Sequence, residues 1–196
     1  LTKFVFYFAL SAMLFRFSSS LSLGALLQWN FIFAYLLATG SIYMLAISFA
    51  LILAIPMGVA AAVRPNSLID RAALFLSVVG QAIPSFWFGL ILIVVFSIKL
   101  GLVPASGSAS WKHFILPTVV LGYYATPAIM RLTRAGMLEV LSADYIRTAR
   151  AKGLDTRKIL FKHALRNAII PVISLAAVQM GFMLGGSIVV ESIFAL

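Results

Sequence analysis

Charge is absent from residues 17–63, 72–98, 113–130 and 167–190 of this chain and is crowded between Arg131 and Arg166. That distribution constrains the fold more than any single motif does. A bilayer-spanning helix needs about 20 consecutive apolar residues, and inside lipid a helix satisfies its own backbone polar groups. An all-α polytopic membrane protein is therefore expected, with spans at about 41–63, 72–98, 113–130 and 167–190. The overall balance agrees: 63% of residues are hydrophobic and 10% charged, which excludes an ordinary soluble domain.

The crowded stretch is a basic island. Arg131, Arg134, Arg147, Arg150, Lys152, Arg157, Lys158, Lys162 and Arg166 face only Glu139, Asp144 and Asp155. At roughly 2.5–3.5 kcal/mol per Arg, Lys or Asp at a bilayer centre, burying the whole segment would cost tens of kcal/mol, so 131–166 is expected to lie in water between spans. Local signals shape its middle. Ser142 is placed to cap a short helix with Asp144 near its start and Arg147, Arg150 and Lys152 toward its end, the polarity that the helix dipole favours. Gly153 can turn the chain in the left-handed region just past that helix, and Asp155 can cap the next one. Lys158, Lys162 and Arg166 then follow four apart, leading into the last apolar run.

This island resembles the cytoplasmic EAA loop of inner-membrane permease subunits of binding-protein-dependent ABC importers. Gly153 falls on the glycine of that pattern, Ala149 on its second alanine and Leu165 on its leucine, while Arg147, Thr148 and Arg166 depart from it. The departures are those of the dipeptide, oligopeptide and nickel branch, whose wording Asp144–Gly153 and His163–Pro171 follow closely. Ile55–Val59, Pro84–Trp87, Leu102–Gly107 and Gly185–Glu191 also resemble the first, B-type permease of that branch, so the likeness covers roughly residues 41–194.

The resemblance implies the type I permease fold, with four or more transmembrane helices in this chain and a cytoplasmic coupling helix. It also implies a subunit of an ATP-driven importer that binds no cofactor itself, ATP and magnesium being used by partner ATPases. The implied partners are a second, C-type permease, two cytoplasmic ATPase subunits and a periplasmic or lipid-anchored substrate-binding protein, in a bacterial or archaeal inner membrane. The ATPase-coupling residues carried over are Asp144, Tyr145, Arg147, Thr148, Ala149, Arg150, Ala151, Lys152, Gly153, Leu154 and Asp155, with Ala149 and Ala151 small enough to enter a cleft. Di- or oligopeptides are the implied cargo; nickel, glutathione or another small solute travels through similar permeases. A channel or secondary transporter working without ATP is the competing class.

The rest of the chain fits between these points. Residues 1–40 are hard to read: Phe4–Phe15 is apolar but short of a straight span, and is expected at an interface or as the end of a first span. The chain starts at Leu1 without a recognisable signal peptide, and the natural N-terminus is expected to lie outside it. Gly40 and Ser41 offer a break before the first clear span, and Arg64–Arg71 is a short polar hinge. Pro84 should bend the second span, with Gln81 and Ser85 beside the freed carbonyl; these three, with Tyr123 and Gln179, are candidates for lining a translocation path. Loops 64–71 and 131–166 share a side, which the positive-inside rule makes cytoplasmic, and 99–112 lies opposite.

Several chemistries find no support. The net charge of +10 sits mostly in one inter-span loop, which argues for topology rather than nucleic-acid binding. No phosphate-cradling G-x-x-x-x-G-K-[ST] loop occurs, and cysteine is absent. His113 and His163, the two histidines, are expected on opposite sides of the membrane, which disfavours a metal site or catalytic triad.

Overall fold

A computed structural model of the chain describes residues 29–195, and every regular element among them is helical. The reading of Phe4–Phe15 lies outside the described residues. Two compact units divide at Ser41, and the first is described only where the opening helix begins. That helix, α1, is Trp29–Val63. It passes through Gly40 and Ser41, the expected break, without unwinding. One glycine does not stop a helix in an apolar setting, because unwinding would leave backbone groups unpaired.

The second unit contains α2 (Leu68–Ala82), α3 (Ser85–Leu92, continuing as a π-helical stretch over Ile93–Lys99), α4 (Ile115–Ser142), α5 (Asp144–Ala151) and α6 (Arg166–Phe194). One helical turn, Thr156–Lys158, and a π-helical stretch, Ile159–Leu165, lead into α6. Among the described residues, three helical stretches are long and apolar enough to cross a membrane: Leu36–Val63, Trp111–Ser142 and Thr156–Met183. A fourth exists only if α2 and α3, bent by 97°, count as one span.

That bend departs from the kinked span expected at 72–98. Proline has no N–H and disfavours helical geometry in the residue before it. Ile83 is accordingly extended (φ −81°, ψ 121°), and Pro84 is the cap that opens α3. The chain turns a corner there.

Helix α4 is the hub. It packs most extensively against α6 and also meets α2 and α3. Its contact with α1 depends on close approach. Ala46, Ala50 and Ala54, fully buried on one face of α1, join Val120, Ala125 and Ile129 of α4 and Val172 of α6 in the core. Lipid tails are as apolar as the helices, so small residues that let backbones touch supply the association. At Gly122 an added Cβ would lie 2.6 Å from the Ala46 carbonyl oxygen, and at Gly58 one would lie 2.7 Å from Cβ of Thr133. Because 46 meets 122 and 58 meets 133, α1 and α4 run parallel. The hydroxyl of Tyr43 donates to Oε1 of Glu191 at 3.2 Å, joining α1 to α6.

Candidate functional site: the basic loop and the helices that carry it

The loop expected over 131–166 begins differently in the structure. Helix α4 does not end at Met130 but continues to Ser142, so Arg131 and Arg134 belong to it. Their charges are tolerated because α2 receives them. Arg134 forks onto Asp70, donating from Nε to Oδ1 at 2.5 Å and from Nη2 to Oδ2 at 2.7 Å. Asp70 is 1% exposed and accepts a third hydrogen bond, 2.8 Å from the Asn66 backbone N–H. Removing one partner of so buried a pair costs about 3–5 kcal/mol. One turn earlier, Arg131 donates to Ser77 Oγ at 3.2 Å and to Gln81 Oε1 at 2.9 Å. In the sequence Asp70 falls in the polar hinge Arg64–Arg71 and Gln81 beside the proline bend. The available signal was the spacing of Asp70, Ser77 and Gln81, which places three polar groups on one face of a helix starting at Leu68.

Ser142 is not the cap of the coupling helix. It is the last residue of α4, its hydroxyl donates back to the Glu139 carbonyl at 2.7 Å, and Ala143 caps α5 with no side-chain bond. A single residue therefore separates α4 from α5. The α5 helix is amphipathic: Ile146 (0% exposed) and Ala149 (7%) are buried with Val59 and Ala62 of α1, Met137 of α4 and Ala168 of α6. Ala149 thus seats the helix on the ends of its own spans and is not available to enter a partner's cleft. Asp144, Tyr145, Arg147, Thr148, Arg150, Ala151 and Lys152 are exposed. Asp144 and Arg147 form an ion pair at 3.5 Å, too solvated to rigidify the helix by itself.

The corner after α5 has a defined geometry. Gly153 is left-handed (φ +73°), its N–H donates to the Arg150 carbonyl at 2.9 Å, and the Leu154 N–H donates to the Ala149 carbonyl at 3.3 Å. Those two bonds form a Schellman closure, which needs a residue at home in that region. Asp155 then accepts from the Arg157 N–H at 3.0 Å, capping the next turn as its sequence position suggested. Nδ2 of Asn167 donates to the Tyr145 hydroxyl at 2.9 Å, fastening α5 to the start of α6. Lys158, Lys162 and Arg166 are all exposed.

The five candidate path residues are not brought together. Ser85 and Gln179 share an open cavity of about 510 Å³ between α3, α4 and α6 with Tyr124, Val120 and Phe182. Tyr123 instead stacks on Phe88, centroids 4.1 Å apart, and borders a smaller cavity of about 190 Å³ between α1, α2 and α4. Gln81 is held by Arg131, and Pro84 is at the corner. Tyr124, the neighbour of Tyr123, lines the larger cavity. Among the described residues no three His, Cys, Asp or Glu side chains gather as a metal site would require.

Comparison with known proteins places these features in a wider group. Residues 54–196 match the family described as "Binding-protein-dependent transport system inner membrane component". The chain is 47% identical over 145 residues to the glutathione transport system permease protein GsiC of Escherichia coli (strain K12), covering 74% of this chain and 47% of that protein. The same coverage holds for the GsiC proteins of Shigella dysenteriae serotype 1 (strain Sd197), at 47% identity, and Salmonella choleraesuis (strain SC-B67), at 46%. The chain spans about half the length of the curated relatives it matches.

Proposed function

Because the chain belongs to the family of binding-protein-dependent transport system inner membrane components, we propose that it forms part of the translocation pathway of an ATP-driven importer and receives motion from a separate ATPase through α5. It is a multi-pass transport subunit of the inner membrane rather than an enzyme. The observation that carries the coupling role is the arrangement of α5. Its apolar side is seated on the ends of three spans, its basic side faces outward, and only Ala143 separates it from α4. A push on the exposed side has short, packed routes into α4 and α6.

The assembled importer would contain a second permease subunit, two ATPases that use ATP and magnesium, and an external binding protein that delivers the solute. Small peptides are the proposed cargo, with glutathione first among them because similar permeases carry that name. The cavity lined by Ser85, Tyr124 and Gln179 suits passage of such a solute, offering neutral hydrogen-bonding groups and no charge that would hold it tightly.

The complete complex, reconstituted in vesicles with binding protein outside and ATP inside, should accumulate labelled glutathione or a labelled dipeptide. Full uptake without ATP would favour a channel and remove the proposal. Arg147→Glu, which reverses an exposed charge on α5, is expected to weaken co-purification of the ATPase by roughly fivefold, about the weight of one exposed ion pair. Insertion and cargo choice should stay unchanged.

A further inference from the structure

The contact between α2 and α4 is unusual for two apolar helices. Among the large side chains of α2, Leu68, Phe75 and Val78 are exposed, and its buried residues are Asp70, Ala73, Ser77 and Gly80. Apolar packing is interrupted further by the cavity bordered by Met57, Leu76, Gly80, Tyr123, Pro127 and Met130. Beside the close approach of Gly80 to Tyr123 and Pro127, two polar rungs bridge the helices: Arg134 on Asp70, and Arg131 on Ser77 and Gln81. The two rungs lie along one stripe of α2.

The lower rung also reaches the turn after α1. Asp70 accepts from the N–H of Asn66, which is left-handed (φ +62°), and its own N–H donates to Ser67 Oγ at 3.3 Å. Arg134 therefore grips the α1–α2 corner as well as α2. It does so from α4, nearly three turns before the chain enters the coupling helix.

We infer that Asp70 and Arg134 are positioning residues that strap α2 to α4, so that displacement of the coupling helix moves the inner limb of the bent α2–α3 pair together with α4. The inference rests on the importer reading above and adds to it a named pair of side chains. Without the strap, the contact would rest on the small residues Ala73 and Gly80, the latter against Tyr123 and Pro127 of α4, with no ion pair to fix the two helices in register. The pair should stay closed throughout the transport cycle, since opening would strand the buried Asp70 carboxylate.

The test uses the whole reconstituted complex. Asp70→Asn keeps the shape of the side chain and removes its charge. The expected result is a complex that assembles with lower heat stability and sustains ATP hydrolysis, with uptake per ATP reduced at least about tenfold, a loss of roughly 1.4 kcal/mol in coupling. Unchanged uptake per ATP would overturn the strap. These 196 residues contain no cysteine, so Asp70→Cys with Arg134→Cys, compared with each single variant, provides a second arm that also decides the matter if Asp70→Asn fails to assemble. A short thiol-to-thiol cross-linker joining the two positions should restore coupling, whereas cross-linking that leaves the complex intact and halts transport would show that the pair must open, and would overturn the proposal. Failure of the unaltered complex to take up solute with ATP would instead remove the importer reading.

Discussion

Gly122→Ala should lower the thermal stability of the purified subunit by about 1–3 kcal/mol, the cost of forcing an extra group into a closed contact. The added methyl would meet the Ala46 carbonyl oxygen at 2.6 Å and Cδ1 of Phe49 at 2.7 Å. A phenyl ring can rotate aside. The carbonyl is part of the α1 backbone, so α1 itself must retreat from α4, loosening the row of fully buried alanines at 46, 50 and 54. Gly122→Leu should abolish accumulation of folded protein. Gly181→Ala is the control: it too is on a span, but nothing lies within 4 Å of an added Cβ, and its replacement should be neutral or slightly stabilising. Alanine is the better helix former, so propensity alone predicts a gain at both positions; equal stabilities of the two variants, measured by thermal unfolding in detergent, would show that close approach does not matter at 122.

The second large effect is expected at the corner of the basic loop. Gly153→Val meets no neighbour, since nothing lies within 4 Å of an added Cβ, so its whole penalty comes from holding a β-branched residue at φ +73°. That strain is about 1–3 kcal/mol, enough to open the closure that ends α5. The helix would remain seated by Ile146 and Ala149 but lose its fixed angle to the segment leading into α6. Uptake should fall by at least about tenfold while ATP hydrolysis and membrane insertion persist; 1.4 kcal/mol already corresponds to a factor of ten. Gly153→Asn separates the causes, because asparagine tolerates the left-handed region. It should keep most of the uptake. If Asn and Val are equally damaging, side-chain bulk against the ATPase, rather than backbone geometry, is what residue 153 controls.

These variants probe features of different legibility. The corner could be read from sequence because its causes are local. Glycine at 153 and aspartate at 155 act on backbone groups a few residues away, and the observed turn uses both. The inward face of α5 could have been noticed from the spacing of Ile146 and Ala149, three apart on one side of a helix, but the resemblance drew attention to alanine size instead. The close approach at Gly122 could not have been found that way. Nothing near residue 122 says that residue 46 will touch it.

The alternation of oily and basic segments was by itself enough to determine a helical membrane protein with a polar handle on one side, because the free energies of placing charge and bare backbone in lipid are large and depend on composition alone. Tertiary structure decided where the handle begins and what it is fastened to. Arg131 and Arg134 look like loop residues until Asp70, Ser77 and Gln81, at least 50 residues earlier in the chain, arrive beside them. Their charge belongs in a helix only once a partner from another helix satisfies it, and that pairing exists in three dimensions before it can be seen along the chain.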